Sequence, residues 1–151
     1  KRKSGTVLID VSGSMSFTEE DVQEIIETLP ASTVAIYSGE SDADMKEPSQ
    51  VKGTLRVVGK NGRYVKYIPE HGYHNLIDGP AIEWLSKQAE PRILVSDLQF
   101  TGVDFANPKR GEVSCSAELI TDCMKMIAAK NIIPIPNIDK AKEWVVKYRN
   151  A

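Results

Sequence analysis

Thr6-Val7-Leu8-Ile9-Asp10-Val11, followed directly by Ser12-Gly13-Ser14-Met15-Ser16, is the stretch on which the fold turns. The first six residues are β-branched or apolar and do not alternate with polar ones. A strand covered on both faces reads that way, because neither face meets water. The run then breaks into small polar residues around a glycine, as a tight strand-end loop requires. Thr18-Glu19-Glu20-Asp21 opens a helix, with Thr18 as N-cap and Asp21 three residues on. Val22, Ile25, Ile26 and Leu29 recur at helical spacing, and Pro30 ends the helix. Ser32 to Tyr37 (STVAIY) is a second strand of the buried type. Strand, helix and strand within about 35 residues make a βαβ unit.

The same alternation continues. Thr54–Val58 and Arg63–Ile68 are β-rich and flank Asn61-Gly62, a strong hairpin turn signal. Ile77–Gln88 reads as a helix with Asp78 as cap, Pro80 in its first turn and Ile82, Trp84 and Leu85 inward. Arg92–Ser96 (RILVS) is a buried-type strand ended by Asp97. Ser114–Lys130 is a helix with Leu119, Ile120, Met124 and Ile127 at its apolar positions. Ile132–Ile135 is a strand, and Asp139–Arg149 a last helix carrying Trp144, Val145 and Tyr148. The expected architecture is a three-layer, doubly wound α/β fold. It has a mainly parallel sheet, helices on both faces and the hairpin as an antiparallel edge.

The chain has 151 residues, enough for one domain with a sizeable core. It is 41% hydrophobic and 26% charged, which argues against disorder. Nineteen basic and twenty-one acidic residues give a net charge of −2, which argues against nucleic-acid binding driven by bulk charge. No apolar run is long enough to span a bilayer. The chain starts at Lys1 rather than Met, so the expectation is a single domain, residues 1–151, excised from a longer protein. Cys115 and Cys123 fall in one helix about 12 Å apart along its axis and cannot bridge each other. That favours a reducing, cytoplasmic compartment.

Several familiar sites are excluded. The acidic stretch Gly39–Gln50 lacks the glycine and glutamate offsets of an EF-hand and reads as a solvated loop. Gly59-Lys60 lacks the rest of a phosphate-binding loop, no Rossmann glycine fingerprint follows the first strand, and there is no Gly-x-Ser-x-Gly elbow.

Ligands of such sheets bind beyond the carboxyl ends of the strands. Asp10 stands at one strand end, with Ser12 and Ser14 following at alternate positions. Asp97 stands at another strand end, 87 residues on. Carboxylates and hydroxyls together suit Mg²⁺, Mn²⁺ or Ca²⁺, and do not suit zinc. The pattern resembles the von Willebrand factor A domain with its metal-ion-dependent adhesion site. Asp10, Ser12 and Ser14, in the context LIDVSGSM, match the Asp-x-Ser-x-Ser part of that signature, and Asp97 in ILVSD matches its last part. The element order matches over nearly the whole chain. The family's middle threonine is missing. In its place stands Gly72-Tyr73-His74-Asn75-Leu76-Ile77-Asp78-Gly79, so His74, Asn75 or Asp78 takes that position. Asn75 or Asp78 would supply a hard oxygen, whereas His74 would shift preference toward Mn²⁺ or later metals.

The resemblance implies that Ser12 and Ser14 bind the ion directly and that Asp10 and Asp97 hold it largely through waters. An open coordination position would take an acidic side chain of a partner protein. A rim comprising Phe17, the Glu70–Leu76 loop and Gln99–Asp104 would set specificity, with Phe17, Tyr73, Phe100 and Thr101 as contact residues. Phe17, Tyr73 and Phe100 read equally well as core or loop packing. The expected function is therefore a metal-dependent protein-interaction module and not an enzyme, with no direct nucleic-acid contact. Two alternatives stand beside it. One is an Mg²⁺-dependent phosphohydrolase with Asp10 as nucleophile, although Ser12 replaces the general acid such enzymes need. The other is a metal-free scaffold of the same fold.

Overall fold

The computed structural model describes residues 3–12, 15, 17–39, 53–64, 78–99 and 117–151. They form an α/β domain with a six-stranded mixed sheet and four helices. Strand β1 (Thr6–Asp10) is followed by helix α1 (Glu19–Thr28) and strand β2 (Thr33–Gly39). Strands β3 (Gly53–Lys60) and β4 (Arg63–Tyr64) form the hairpin. Helix α2 (Asp78–Leu85), strand β5 (Arg92–Val95), helix α3 (Ala117–Ala129), strand β6 (Ile132–Ile135) and helix α4 (Ile138–Asn150) complete the order.

The strand order across the sheet is β4-β3-β2-β1-β5-β6. Strands β2, β1, β5 and β6 run parallel. Strands β3 and β4 are antiparallel at the margin, as the Asn61-Gly62 turn predicts. Asn61 has φ 55° and Gly62 φ 74°, the paired positive values a tight two-residue hairpin turn demands.

Alternate residues of β1 feed two cores, because successive side chains of a strand leave opposite faces. Val7 and Ile9 join Val22, Ile25, Ile26 and Leu29 of α1 and Ile138, Ala141 and Val145 of α4. Leu8 joins Ala81, Ile82 and Leu85 of α2 and Cys123 and Ile127 of α3 on the other face. All five residues of β1 are buried, which explains its lack of alternation. All four apolar positions expected of α1 are buried. Among the described side chains of α3, Cys123 and Ile127 are buried, whereas Met124 is 41% exposed. The stripe is set by the i, i+4 pair, and Met124 lies about 100° further round the helix. Leu119 and Ile120 fall within α3, and Cys115 lies outside the described residues.

Helix α1 begins as its sequence implies. Thr18 Oγ1 accepts from the Asp21 backbone N–H at 3.1 Å, and the Asp21 carboxylate accepts from the Thr18 N–H at 3.1 Å. This capping box satisfies two otherwise orphaned donors. Helix α4 is capped by Asn137, whose side chain accepts from the Lys140 N–H. Asp78 lies within α2, in its first turn, rather than outside the helix.

Candidate functional site

Strand β1 lies at the middle of the parallel set, with β2 on one side and β5 on the other. The helix leaving β1 packs on one face, and the helix entering β5 on the opposite face. Ligands of open α/β sheets bind beyond the carboxyl ends of such strands.

Asp10 ends β1 and is buried, at 4% exposure. Its Oδ1 accepts from the Ser12 backbone N–H at 2.9 Å. That bond turns the chain off the sheet and fixes one carboxylate oxygen. Val11 N–H donates to the Tyr37 carbonyl at 3.0 Å, and Met15 N–H to the Ser12 carbonyl at 3.0 Å. Met15 and Phe17 are buried in the α1-side core. The loop is thus pinned at both ends, and the buried hydroxyl-bearing residue Ser12 is held beside Asp10. Phe17 is core packing rather than an exposed rim residue. Phe17 immediately precedes the Thr18 N-cap and joins Met15, Val22 and Ile25 in the α1-side core.

Strand β5 ends in a related way. Asp97, half-buried, accepts from the Gln99 N–H through Oδ1 at 3.1 Å, and the buried Ser96 hydroxyl accepts from the Leu98 N–H at 3.0 Å. Between them Leu98 takes φ 62°. A bulky residue in the left-handed region is a strained arrangement, and such strain concentrates at functional sites. The register Ile9↔Val95 places Asp10 and Ser96 side by side, with Asp97 one residue on.

Tyr37 is the partner of Asp10 across the β1–β2 ladder. It lies on the α2 side of the sheet, and its hydroxyl donates to Asp78 Oδ1 at 3.0 Å. Both residues are buried, Tyr37 at 0% and Asp78 at 2%. Asp78 is therefore the one candidate for the missing threonine that the described residues place at this end of the sheet, on the face shared by Tyr37. Sequence reasoning missed Tyr37. The available signal was the single aromatic, hydroxyl-bearing residue of β2, following Val34, Ala35 and Ile36. Ser14, Tyr73, His74, Asn75, Phe100 and Thr101 lie outside the described residues.

The side chains that end the neighbouring strands β1 and β5 carry hard oxygens: the carboxylates of Asp10 and Asp97 and the hydroxyl of Ser12. That set fits a divalent ion of the Mg²⁺, Mn²⁺ or Ca²⁺ kind. Among the described residues no three of His, Cys, Asp and Glu gather into a metal-holding group. A site of two carboxylates and serine hydroxyls needs no such trio. Among the described residues no helix is long and apolar enough to cross a membrane.

No family model, curated protein or solved structure matches the chain.

Proposed function

We propose that this chain is a von Willebrand factor A-like module that binds a partner protein through a divalent cation. The cation would sit beyond the ends of β1 and β5, bound by Ser12 and Ser14 and balanced by Asp10 and Asp97. Two carboxylates offset a 2+ charge, while neutral hydroxyl ligands leave the ion electrophilic toward an acidic group of the partner. The observation that carries this reading is the buried Asp10–Ser12 turn at the end of the central strand, with Asp97 at the end of the strand beside it. A buried carboxylate at such a point calls for compensation by a positive group or by hydrogen bonds.

Asp78 stands at the same end of the sheet, held by Tyr37, and does not gather with Asp10 and Asp97 into one metal-holding group. The parallel order β2-β1-β5-β6 with an antiparallel margin supports the doubly wound arrangement. The test is calorimetric titration of chelator-treated protein with Mg²⁺, Mn²⁺ and Ca²⁺, alongside Asp10→Ala and Asp97→Ala. One-to-one binding lost in both variants is the expected result. A folded protein that takes up none of the three ions refutes the metal-dependent reading and leaves a metal-free scaffold.

A further inference from the structure

The net charge of −2 conceals a segregation. Between Val51 and Pro69 the chain carries five basic residues, Lys52, Arg56, Lys60, Arg63 and Lys66, and no Asp or Glu. The rest holds fourteen basic residues against all twenty-one acidic ones. This stretch contains the β3–β4 hairpin at the sheet margin.

Three of these cations are described, and Arg56, Lys60 and Arg63 are all exposed. The ion pairs found among the described residues engage Lys87, Arg92, Lys140 and Lys142, and none draws on the hairpin. Lys60 and Arg63 are direct partners across the ladder. Like charges at that position, with Cα atoms about 4.5–5.5 Å apart, oppose folding. The sequence retains an arrangement that costs stability, and an anion bridging the two side chains would reverse its sign.

The register of β3 shifts opposite Val34 and Ala35, so Arg56 pairs with Ile36 and Lys60 with Thr33. The shift puts Arg56 and the Lys60–Arg63 pair on opposite faces of the ribbon. β3 is paired with β2 along its length, so the hairpin is the margin of the sheet and not a free ribbon, and it is the Lys60–Arg63 pair at its tip that a phosphate backbone would meet. The tip, Lys60-Asn61-Gly62-Arg63-Tyr64, is exposed throughout and carries no aliphatic side chain. A protein interface wants a buried apolar centre, which this tip lacks. Lys60, Asn61 and Arg63 offer donors of the kind that contact phosphates, whereas the Tyr64 hydroxyl donates to the Glu19 carboxylate at 2.7 Å.

We propose that the β3–β4 hairpin is a contact surface for the backbone of a nucleic-acid duplex. It departs from the expectation drawn from net charge, because the relevant quantity is the local field. The surface is separate from the strand-end site. Lys60 pairs with Thr33 at the start of β2, whereas Asp10 pairs with Tyr37 near its end.

The test is fluorescence anisotropy of a short labelled DNA duplex, followed over a salt series. The full chain is compared with Lys60→Gln/Arg63→Gln and with Lys87→Gln/Lys140→Gln as control. The expected result is binding at low salt, with the slope of log affinity against log salt reduced by about 2 in the hairpin variant. The control keeps the parent slope, and the hairpin variant melts no lower than the parent. Failure of the duplex to bind at about 50 mM salt overturns the proposal. So does an unchanged slope in the hairpin variant, or poly-glutamate of equal charge binding as tightly as the duplex.

Discussion

The Tyr37 hydroxyl reaches across from β2 to hold Asp78 at the first turn of α2, 3.0 Å away, with both side chains out of solvent. The contact ties the sheet to the helix beside the strand-end site. Removing the hydroxyl takes a donor from a buried carboxylate, which costs about 1–3 kcal/mol. Tyr37→Phe is expected to lose that much in urea denaturation while retaining its fold by circular dichroism. A loss below about 0.5 kcal/mol would mean that other partners of Asp78 carry the group.

Metal binding confined to the folded chain raises stability by mass action. If the proposed site holds Mg²⁺, a concentration about 100-fold above Kd is expected to add about 2.7 kcal/mol, lost again on adding chelator. Thermal melts with and without Mg²⁺ read it directly. Asp10→Ala and Asp97→Ala are each expected to melt at the same temperature in both conditions.

Lys142 of α4 meets Asp21 at 2.8 Å, Glu24 at 3.2 Å and Asp139 at 3.7 Å, joining α4 to the start of α1. Burial pushes the Asp21 carboxyl up, but hydrogen bonds from Lys142 and Thr18 outweigh it and hold the group below its ordinary 3.8. A carboxyl depressed by folding stabilises the fold above its unfolded value. That contribution drains away as pH falls from about 4 through the lowered folded value. Hydrogen bonds to Asp21 and Glu24 raise Lys142 above its ordinary 10.5. Its contribution is full below 10.5 and is lost only as pH climbs through the raised value. Denaturation midpoints for Lys142→Met are expected to be lower near neutrality and to fall less steeply below pH 4 than those of the parent.

Thr18 caps α1 with both halves of a capping box. Thr18→Ala is expected to cost about 1 kcal/mol in equilibrium unfolding. Thr18→Asp, which restores an accepting oxygen, recovers most of it.

Gly59 of β3 lies beneath Ile26 of α1, and a Cβ built there would overlap the Ile26 side chain. Its backbone has ordinary φ, so the demand is for space. Gly59→Ala is expected to destabilise by about 1–3 kcal/mol through overpacking. The double variant with Ile26→Val should recover part of that loss by removing a crowding methyl.

Much of this architecture was legible in local pattern. The β1 run, the helical spacing of Val22, Ile25, Ile26 and Leu29, the Thr18 cap and the Asn61-Gly62 turn each encode their own element, because propensity and periodicity act over a few residues. Asp10 and Asp97 were legible as strand-end acids for the same reason. Met124 was misjudged, and the open choice between rim and core for Phe17 fell to core, because burial depends on which neighbour an element meets. The register shift in β3 had no local signature, so the division of the hairpin cations between two faces was invisible in sequence. The same holds for the partnership of Tyr37 with Asp78, residues 41 apart.

The sequence by itself determined the elements, their order and the strand-end acids, since these follow from short-range stereochemistry and hydrophobic period. Only the tertiary structure decided that β1 lies between β2 and β5, that Tyr37 holds Asp78 beside Asp10's strand, and that Lys60 faces Arg63. Those relations arise when distant segments share one sheet and one core, and the choice among such pairings is made by collective packing rather than by any local signal.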